Sequence, residues 1–245
     1  MAIGLLGKKL GMTHTYDAYG RRMAVTAVQA GPCTVMQLRE PARHRYTAVQ
    51  VGFEPIADAK LTKPEAGQFK HVGTSPFRYV REFRLPKNGE PNGEWKVGQQ
   101  LTIDMFKQYE LVDVTGISIG KGFQGGMKRW GWKGGPQTHG SMSHRAPGSI
   151  GSTTTPGRVI KGHHLPGHMG DAQVTVQNVR VVAVDLEHHL LLIEGALPGA
   201  KQGLVTIRKS VKRRDVVKKP EAFQTVIEDE DEKLNKNAKA AKAKK

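Results

Sequence analysis

The residues of this chain best suited to chemistry lie in one short run, Lys128-Arg-Trp-Gly-Trp-Lys133. Indole rings stack on flat groups such as unpaired bases, while lysine and arginine neutralise phosphates. Three further cations, Arg145, Arg158 and Lys161, each stand close to a glycine or a Pro-Gly pair and are typical of single phosphate contacts. The run therefore favours a nucleic-acid contact. Two alternatives stay open: Trp130 or Trp132 packs back on the predicted barrel, and the three cations are surface charges without a partner.

Five histidines lie in the same region, and their spacing raises the question of a metal site. Zinc sites usually add cysteine or carboxylate ligands, or use a rigid helix that presents residues i and i+4. Neither feature is visible here, so the sequence predicts no metal and no cofactor. Near phosphates, the imidazoles serve better as donors or stacking rings. They are His139, His144, His163, His164 and His168.

The run Gly120-Lys-Gly-Phe-Gln-Gly125 matches the G-x-G-x-x-G pattern of dinucleotide-binding loops. Such a loop needs a helix after it, because the N-terminus of that helix faces the pyrophosphate. Residues 126–136 hold four glycines and a proline, so we predict no such helix and reject a dinucleotide site. Catalysis is equally unsupported, since paired-carboxylate and Ser-His-Asp schemes need an acid that this region lacks. We predict that the protein is not an enzyme.

All these motifs fall within residues 116–170, which hold 15 glycines and seven lysines or arginines but no aspartate or glutamate. Glycine permits close approach of the backbone to a ligand. Aliphatic side chains are few, so burying them cannot offset the entropy lost when this backbone is ordered. We expect the stretch to be disordered in the free chain and to be ordered by a partner.

The whole chain is basic, with a formal net charge of +16 over 245 residues. Charge alone admits an acidic protein, a membrane surface or a nucleic acid as partner. No window approaches 18 consecutive apolar residues, and no signal peptide is recognisable, so we predict no membrane partner. The single cysteine, Cys33, excludes an internal disulfide and fits a reducing compartment.

The elements that must position these motifs are short β-strands separated by Gly, Pro and Asn-Gly turns, a spacing that favours a barrel or sandwich. We predict a mainly β fold in which residues 1–115 and 171–208 form one globular barrel domain. Residues 116–170 are then a long irregular extension inserted between strands, and residues 209–245 a disordered charged tail. Strands are predicted over 3–16, 23–29, 33–38, 46–53, 78–85, 95–104, 111–115, 173–185, 190–194 and 203–208, with a short helix at 63–70.

Several motifs resemble those of a known family, the bacterial form of the universal large-subunit ribosomal protein number three. The resemblance covers about residues 1–208 and implies a translation-protein-like β-barrel on the outside of the subunit. It also implies that residues 116–170 thread through ribosomal RNA toward the peptidyl-transferase centre, with the tip near residues 130–140. Members bind early and help to start subunit assembly. The matching motifs include residues 3–13, 62–69, 120–125, 128–130, 144–151, 155–157 and 174–177.

One departure from the family concerns modification: some bacterial relatives carry a methylated glutamine after Gly-Ser-Ile-Gly, where this chain has Ser152, Thr153 and Thr154. That modification cannot occur at these positions.

The resemblance implies large-subunit (23S-type) ribosomal RNA and neighbouring ribosomal proteins as partners, no small-molecule substrate, and a location on cytoplasmic ribosomes. A free RNA chaperone or RNA-binding regulator is the alternative. The residues predicted to contact RNA are Lys8, Lys9, Lys121, Lys128, Arg129, Trp130, Trp132, Lys133, His139, His144, Arg145, Arg158, Lys161, His163, His164 and His168.

Overall fold

The computed structural model describes residues 4–212 apart from 18, 71, 74 and 86–94. Their contacts divide them into two compact units. One runs up to Gly116 and resumes at Thr175, and the other is Ile117–Val174, which we call the arm. The predicted mainly β class is confirmed. Residues 213–245, most of the predicted tail, lie outside the described residues.

Strands dominate the described part of the chain, and the helices are short. The strands are β1 (Leu5–Tyr16), β2 (Arg22–Ala30), β3 (Cys33–Arg39), β4 (Ala48–Pro55), β5 (Phe77–Arg84), β6 (Gln100–Leu101), β7 (Leu111–Ile117), β8 (Gly122–Gln124), β9 (Gly167–Met169), β10 (Gln173–Asp185), β11 (Leu190–Glu194) and β12 (Leu204–Lys209). The helices are α1 (Pro41–His44), α2 (Lys63–Lys70) and α3 (Gly126–Trp130).

Six strands close a barrel in the order β1-β12-β7-β10-β11-β2. The predicted first hairpin is confirmed, because β1 and β2 pair antiparallel as far as Tyr16 opposite Arg22. Its turn is held by Asp17, whose Oδ1 accepts the backbone N–H groups of Tyr19 at 2.9 Å and Arg21 at 2.8 Å. An aspartate that bonds the backbone a few residues ahead is a common way to fix such a turn.

Four other strands form a second sheet in the order β5-β4-β3-β6. The sequence gives no means of separating these strands from the barrel. The separation begins at Gly31, whose φ is 77°, and at Pro32, which has no N–H to donate to a ladder. The two sheets still share one hydrophobic core, to which the second sheet contributes Val35, Val51 and Phe83 and the barrel contributes Leu5, Val114 and Ile207.

The strand predicted over residues 95–104 is wrong for most of its length. A turn occupies its first part, where the N–H of Gln99 donates to the carbonyl of Lys96 at 3.1 Å and Gly98 has a φ of 85°. Only Gln100–Leu101 pairs as β6, and a single 3-10 turn follows at Ile103–Met105.

Side chains connect the two neighbouring strands, β7 and β10, from which the arm extends. Asp113 is buried, and its carboxylate accepts the N–H of Asn178 at 2.9 Å and that of Val211 at 3.3 Å. Further along, the hydroxyls of Thr115 and Thr175 lie 2.8 Å apart. The bonds between Asp113 and Asn178 and between the two threonines hold β7 and β10 together. The arm begins at the end of β7 and ends at the start of β10.

Among the residues that the structure describes, no helix is both long and apolar enough to cross a bilayer.

Cys33 offers a direct test of the packing between the barrel and the second sheet. It is buried, its thiol donates to the carbonyl of Leu6 at 3.5 Å, and burial raises the pKa of the thiol to about 12. Because the thiolate is the reactive form, a disulfide reagent at about pH 8 should leave the folded protein unlabelled and label one thiol per chain after unfolding in guanidinium. The absorbance of the released thiol reports on this site alone, since the chain has one cysteine. Rapid labelling of the folded protein would contradict the described packing.

Candidate nucleic-acid interface

The cation and indole run folds as α3, directly after β8. The glycine content predicts no helix after Gly125, and the single turn of α3 corrects this prediction. Gly131 ends the helix, with a φ of 76° and an N–H that donates to the carbonyl of Met127. Gly126 occupies the first position of the helix and does not interrupt it. The helix ends at Gly131, five residues later. One turn is still too short for a dinucleotide loop, which uses the N-terminus of a full helix.

Trp130 joins the outgoing limb of the arm to the returning limb. Its indole stacks on the imidazole of His164, with centroids 4.0 Å apart and planes 5° from parallel. The indole Nε1 donates to the carbonyl of Leu165 at 2.9 Å, and the guanidinium of Arg129 donates to the same carbonyl at 2.8 Å. The Arg129 guanidinium also lies 5.0 Å from the indole centroid. Trp130 nevertheless keeps 42% of its surface exposed.

Trp132 packs on the backbone of α3. A Cβ added at Gly126 would lie 2.1 Å from the indole of Trp132, so only glycine leaves room for the ring. The alternative raised from the sequence has an indole packing back on the barrel. The partners described for both indoles, His164 and Gly126, belong to the arm instead.

The cations of the arm are mostly exposed and lack acidic partners. Each of the six ion pairs in the described part of the chain joins residues outside the arm. Arg129 is half-buried at the limb junction. With no carboxylate between residues 117 and 170, this surface attracts anions over its whole length. The exposed cations are Lys121, Lys128, Lys133, Arg145, Arg158 and Lys161.

The histidines of the arm have different surroundings. His144 Nδ1 lies 2.8 Å from the carbonyl oxygen of Pro136, so Nδ1 carries the proton and donates it. Together with the bond from the N–H of Gly135 to the carbonyl of His144, this closes the loop between them. His164 stacks on Trp130. The remaining three, His139, His163 and His168, are exposed. No group of three histidine, cysteine or acidic side chains suited to a metal occurs in the described ranges.

Lys8 and Lys9 belong to β1, where both have partners inside the globular unit. Lys8 Nζ lies 3.0 Å from a carboxylate oxygen of Glu54. Lys9 is buried, and its Nζ donates to the carbonyls of Leu197 at 2.8 Å and Gly199 at 3.0 Å. This corrects the prediction for Lys9, because its ammonium is enclosed by backbone carbonyls and holds the loop after β11 against β1.

A second surface with aromatic and basic side chains, not predicted from the sequence, lies at the end of the β1–β2 hairpin. Tyr16 is 63% exposed and Met12 is 53% exposed. His14 stands between them on the same face of β1, and Arg22 Nη2 lies 3.4 Å from His14 Nδ1. The signal in the sequence is the alternation of Met12, His14 and Tyr16 at every second position, which places them on one face of a strand.

A β-barrel with a basic arm that has no carboxylate between residues 117 and 170 is typical of a class, the structural proteins of ribonucleoprotein particles, and comparison with known proteins identifies the family. The family model described as Ribosomal protein L3 matches residues 94–189. The large ribosomal subunit protein uL3 of Geobacter sulfurreducens is 49% identical over 214 residues, which cover 87% of this chain and all of the relative. Those of Gloeobacter violaceus and Brachyspira pilosicoli are 50% and 43% identical, covering 87% of this chain and 99% and 96% of the relatives. The chain belongs to the ribosomal protein L3 family.

Family membership confirms the resemblance seen in the motifs. It also confirms that the protein is a structural component of the ribosome and not an enzyme.

Lys9 and Lys8 provide a matched pair of substitutions for the globular unit. Lys9→Met leaves two carbonyls without donors, which costs about 1–3 kcal/mol for buried polar groups. Lys8→Met removes a partly exposed ion pair worth about 0–1 kcal/mol. Denaturant unfolding monitored by circular dichroism should therefore show the larger loss of unfolding free energy for Lys9→Met. Equal losses would mean that the Lys9 ammonium is not enclosed as described.

Gly126→Ala tests the packing of Trp132. Alanine is the better helix former by about 1 kcal/mol, so helix propensity alone predicts a more stable α3. The contact with Trp132 predicts the opposite, namely displacement of the indole. In ¹⁹F NMR of protein labelled with fluorotryptophan, we expect the Trp132 resonance to move toward its solvent-exposed position.

Gly125→Ala is the control for this experiment. A Cβ at Gly125 meets nothing within 4 Å, and its φ of −69° suits any residue. Its spectrum should match that of the unchanged protein. Identical spectra for both variants would contradict the packing of Trp132 on Gly126.

Proposed function

We propose that the arm of this ribosomal protein binds large-subunit ribosomal RNA and that the protein is thereby a structural constituent of the large subunit. The observation that carries the proposal is the charge of residues 117–170, where seven cations occur without a carboxylate. Six of these side chains are exposed. Cations that lie close together on one surface repel one another. The phosphates of a nucleic acid neutralise these cations, and the counterions condensed on the phosphates are released on binding, which favours the complex.

Burial along the arm supports a partner of this kind. Every residue from 142 to 166 is exposed in the free chain, including Met142 at 98%. A segment that covers so little of its own surface gains little from folding alone. RNA supplies phosphates for the cations and 2′-hydroxyl groups and base faces for the polar and ring side chains. The same reasoning supports the proposal that RNA stabilises residues 142–166 in the arrangement described here.

Family membership supports the choice of RNA and the finer parts of the proposal. The relatives are named as large ribosomal subunit proteins and match nearly their whole length. On the resemblance, we propose that the arm extends toward the peptidyl-transferase centre and that the protein joins the RNA early and helps to start subunit assembly. Neighbouring large-subunit proteins and a cytoplasmic location belong to the same proposal.

Co-sedimentation tests the proposal directly. In bacterial cells that express the tagged full chain, sucrose gradients with quantitative mass spectrometry should find one copy per large subunit. The triple substitution of Lys128, Lys133 and Lys161 by Gln should dissociate from the subunit at lower salt. The reason is that each lost phosphate contact removes the affinity gained from counterion release, so that less salt is needed to dissociate the variant. The same loss reduces the magnitude of the slope of log K against log salt by about 0.7–0.9 per contact.

The matched control replaces three exposed lysines of the globular unit, Lys60, Lys63 and Lys70, by Gln, with the same change of charge. We expect this control to dissociate at nearly the salt concentration of the unchanged protein. Absence of the tagged chain from the large subunit would overturn the proposal and favour a free RNA chaperone or regulator. Equal salt sensitivity of the two triple variants would overturn the role of the arm.

A further inference from the structure

A groove of about 370 Å³ lies on the arm, with rings on its walls. Both limbs contribute to it, together with the loop between them. Grooves of this size accept small flat ligands. The lining residues are Trp132, Pro147, Ser149, Gly162, His163 and His164.

The position of His164 gives the groove a stacking surface. One face of its imidazole is covered by Trp130 at 4.0 Å. His164 is among the lining residues of the groove and Trp130 is not, so the imidazole itself borders the groove. A flat ring seated on the face of this imidazole that Trp130 does not cover would be the third member of the stack.

Trp132 forms another wall with a fixed ring. Its indole is held by packing on Gly126, so the ring is positioned before any ligand arrives. A preorganised aromatic side chain binds with a smaller loss of conformational entropy than a mobile one. At Gly162 the groove is open, since a Cβ there would meet nothing within 4 Å.

The polar groups around the groove select the kind of ring. The hydroxyl of Ser149 donates to the carbonyl of Gly151 at 3.3 Å and accepts its N–H at 3.4 Å. The ring nitrogens of the exposed His163 are therefore the groups best placed to bond the edge of a base. Lys161 precedes the lining residue Gly162, and Lys133 follows Trp132 in the chain; both are exposed. This combination fits a nucleotide within a single strand. The rings stack on the base, the polar groups bond the edge of the base, and the flanking cations neutralise the phosphates on either side.

We infer that this groove binds one unstacked base of the RNA, which stacks on His164 beside Trp132. The inference rests on the proposed function and makes it more specific, because it requires an unpaired nucleotide at this point of the arm. An acidic protein segment satisfies the cations but leaves the ring walls unused, so base recognition separates the two partners.

The test compares two probes that carry the same phosphates. One is oligoadenylate of about eight nucleotides and the other is an abasic ribose-phosphate chain of equal length. Fluorescence anisotropy with the full-length protein should give about 5- to 150-fold tighter binding of oligoadenylate, the range expected for one stacked base. Trp132→Leu should bring this ratio close to one while binding of the abasic probe changes little. Trp132→Phe, which keeps a ring, should restore most of the ratio.

Phe123→Leu is the control, since Phe123 is an aromatic residue of the arm that is 77% exposed and lies outside the groove. Its ratio should equal that of the unchanged protein. A measurement without substitutions guards against misfolding of the variants: adenosine monophosphate should shift the NMR signals of Trp132 and His164 and leave those of Trp95 in place.

The possible failures are distinguishable. Equal binding of the two probes, or a ratio that Trp132→Leu does not change, would overturn the base site and leave the proposed function intact. Failure of the protein to bind either probe would overturn the base site and the proposed RNA binding together. A loss of the ratio in Phe123→Leu as well would assign base stacking to the arm in general and overturn the groove as its site.

Discussion

The stack of Trp130 on His164 is the interaction on which the geometry of the arm depends. The arm has few aliphatic side chains, so a hydrophobic core cannot hold its limbs together. Beside the short antiparallel ladder between β8 and β9, ring stacking and a shared acceptor do so: Arg129 and Trp130 both donate to the carbonyl of Leu165. Neither contact uses a carboxylate. The limbs are therefore joined without a negative charge that would repel a phosphate backbone.

The barrel fixes the ends of the arm through adjacent strands. Because β7 and β10 are neighbours in the barrel order, the chain that leaves one strand returns at the next. Asp113, whose carboxylate accepts the backbone N–H groups of Asn178 and Val211, is an acid buried inside the globular unit. The buried carboxylate of Asp113 thus stabilises the globular unit through hydrogen bonds. In the described structure, the cations of the arm form no ion pairs with acidic side chains.

Much of this organisation can be predicted from the sequence, and particular residues show which parts cannot. The first hairpin follows from alternation and the turn residues around Asp17, which are local signals. Lys9 shows the limit: in the sequence it is one of two adjacent lysines in a basic protein, and only the carbonyls of Leu197 and Gly199, almost two hundred residues away, give it a structural role. Gly126 likewise reads as a helix breaker, yet it forms the first residue of α3 because Trp132 needs the space beside it.

The sequence by itself determined three features of this protein. They are a β-rich globular part, a stretch of cations and glycines without acids, and motifs that identify the ribosomal protein L3 family. These are properties of residue types and their order, which no fold can change. Tertiary structure alone decided which cations are free and which rings are paired, because these depend on contacts between distant parts of the chain. The approach of Trp132 to His163 and His164, some thirty residues later, is an example, because all three line one groove. It turns a basic, glycine-rich stretch into a surface with a defined groove.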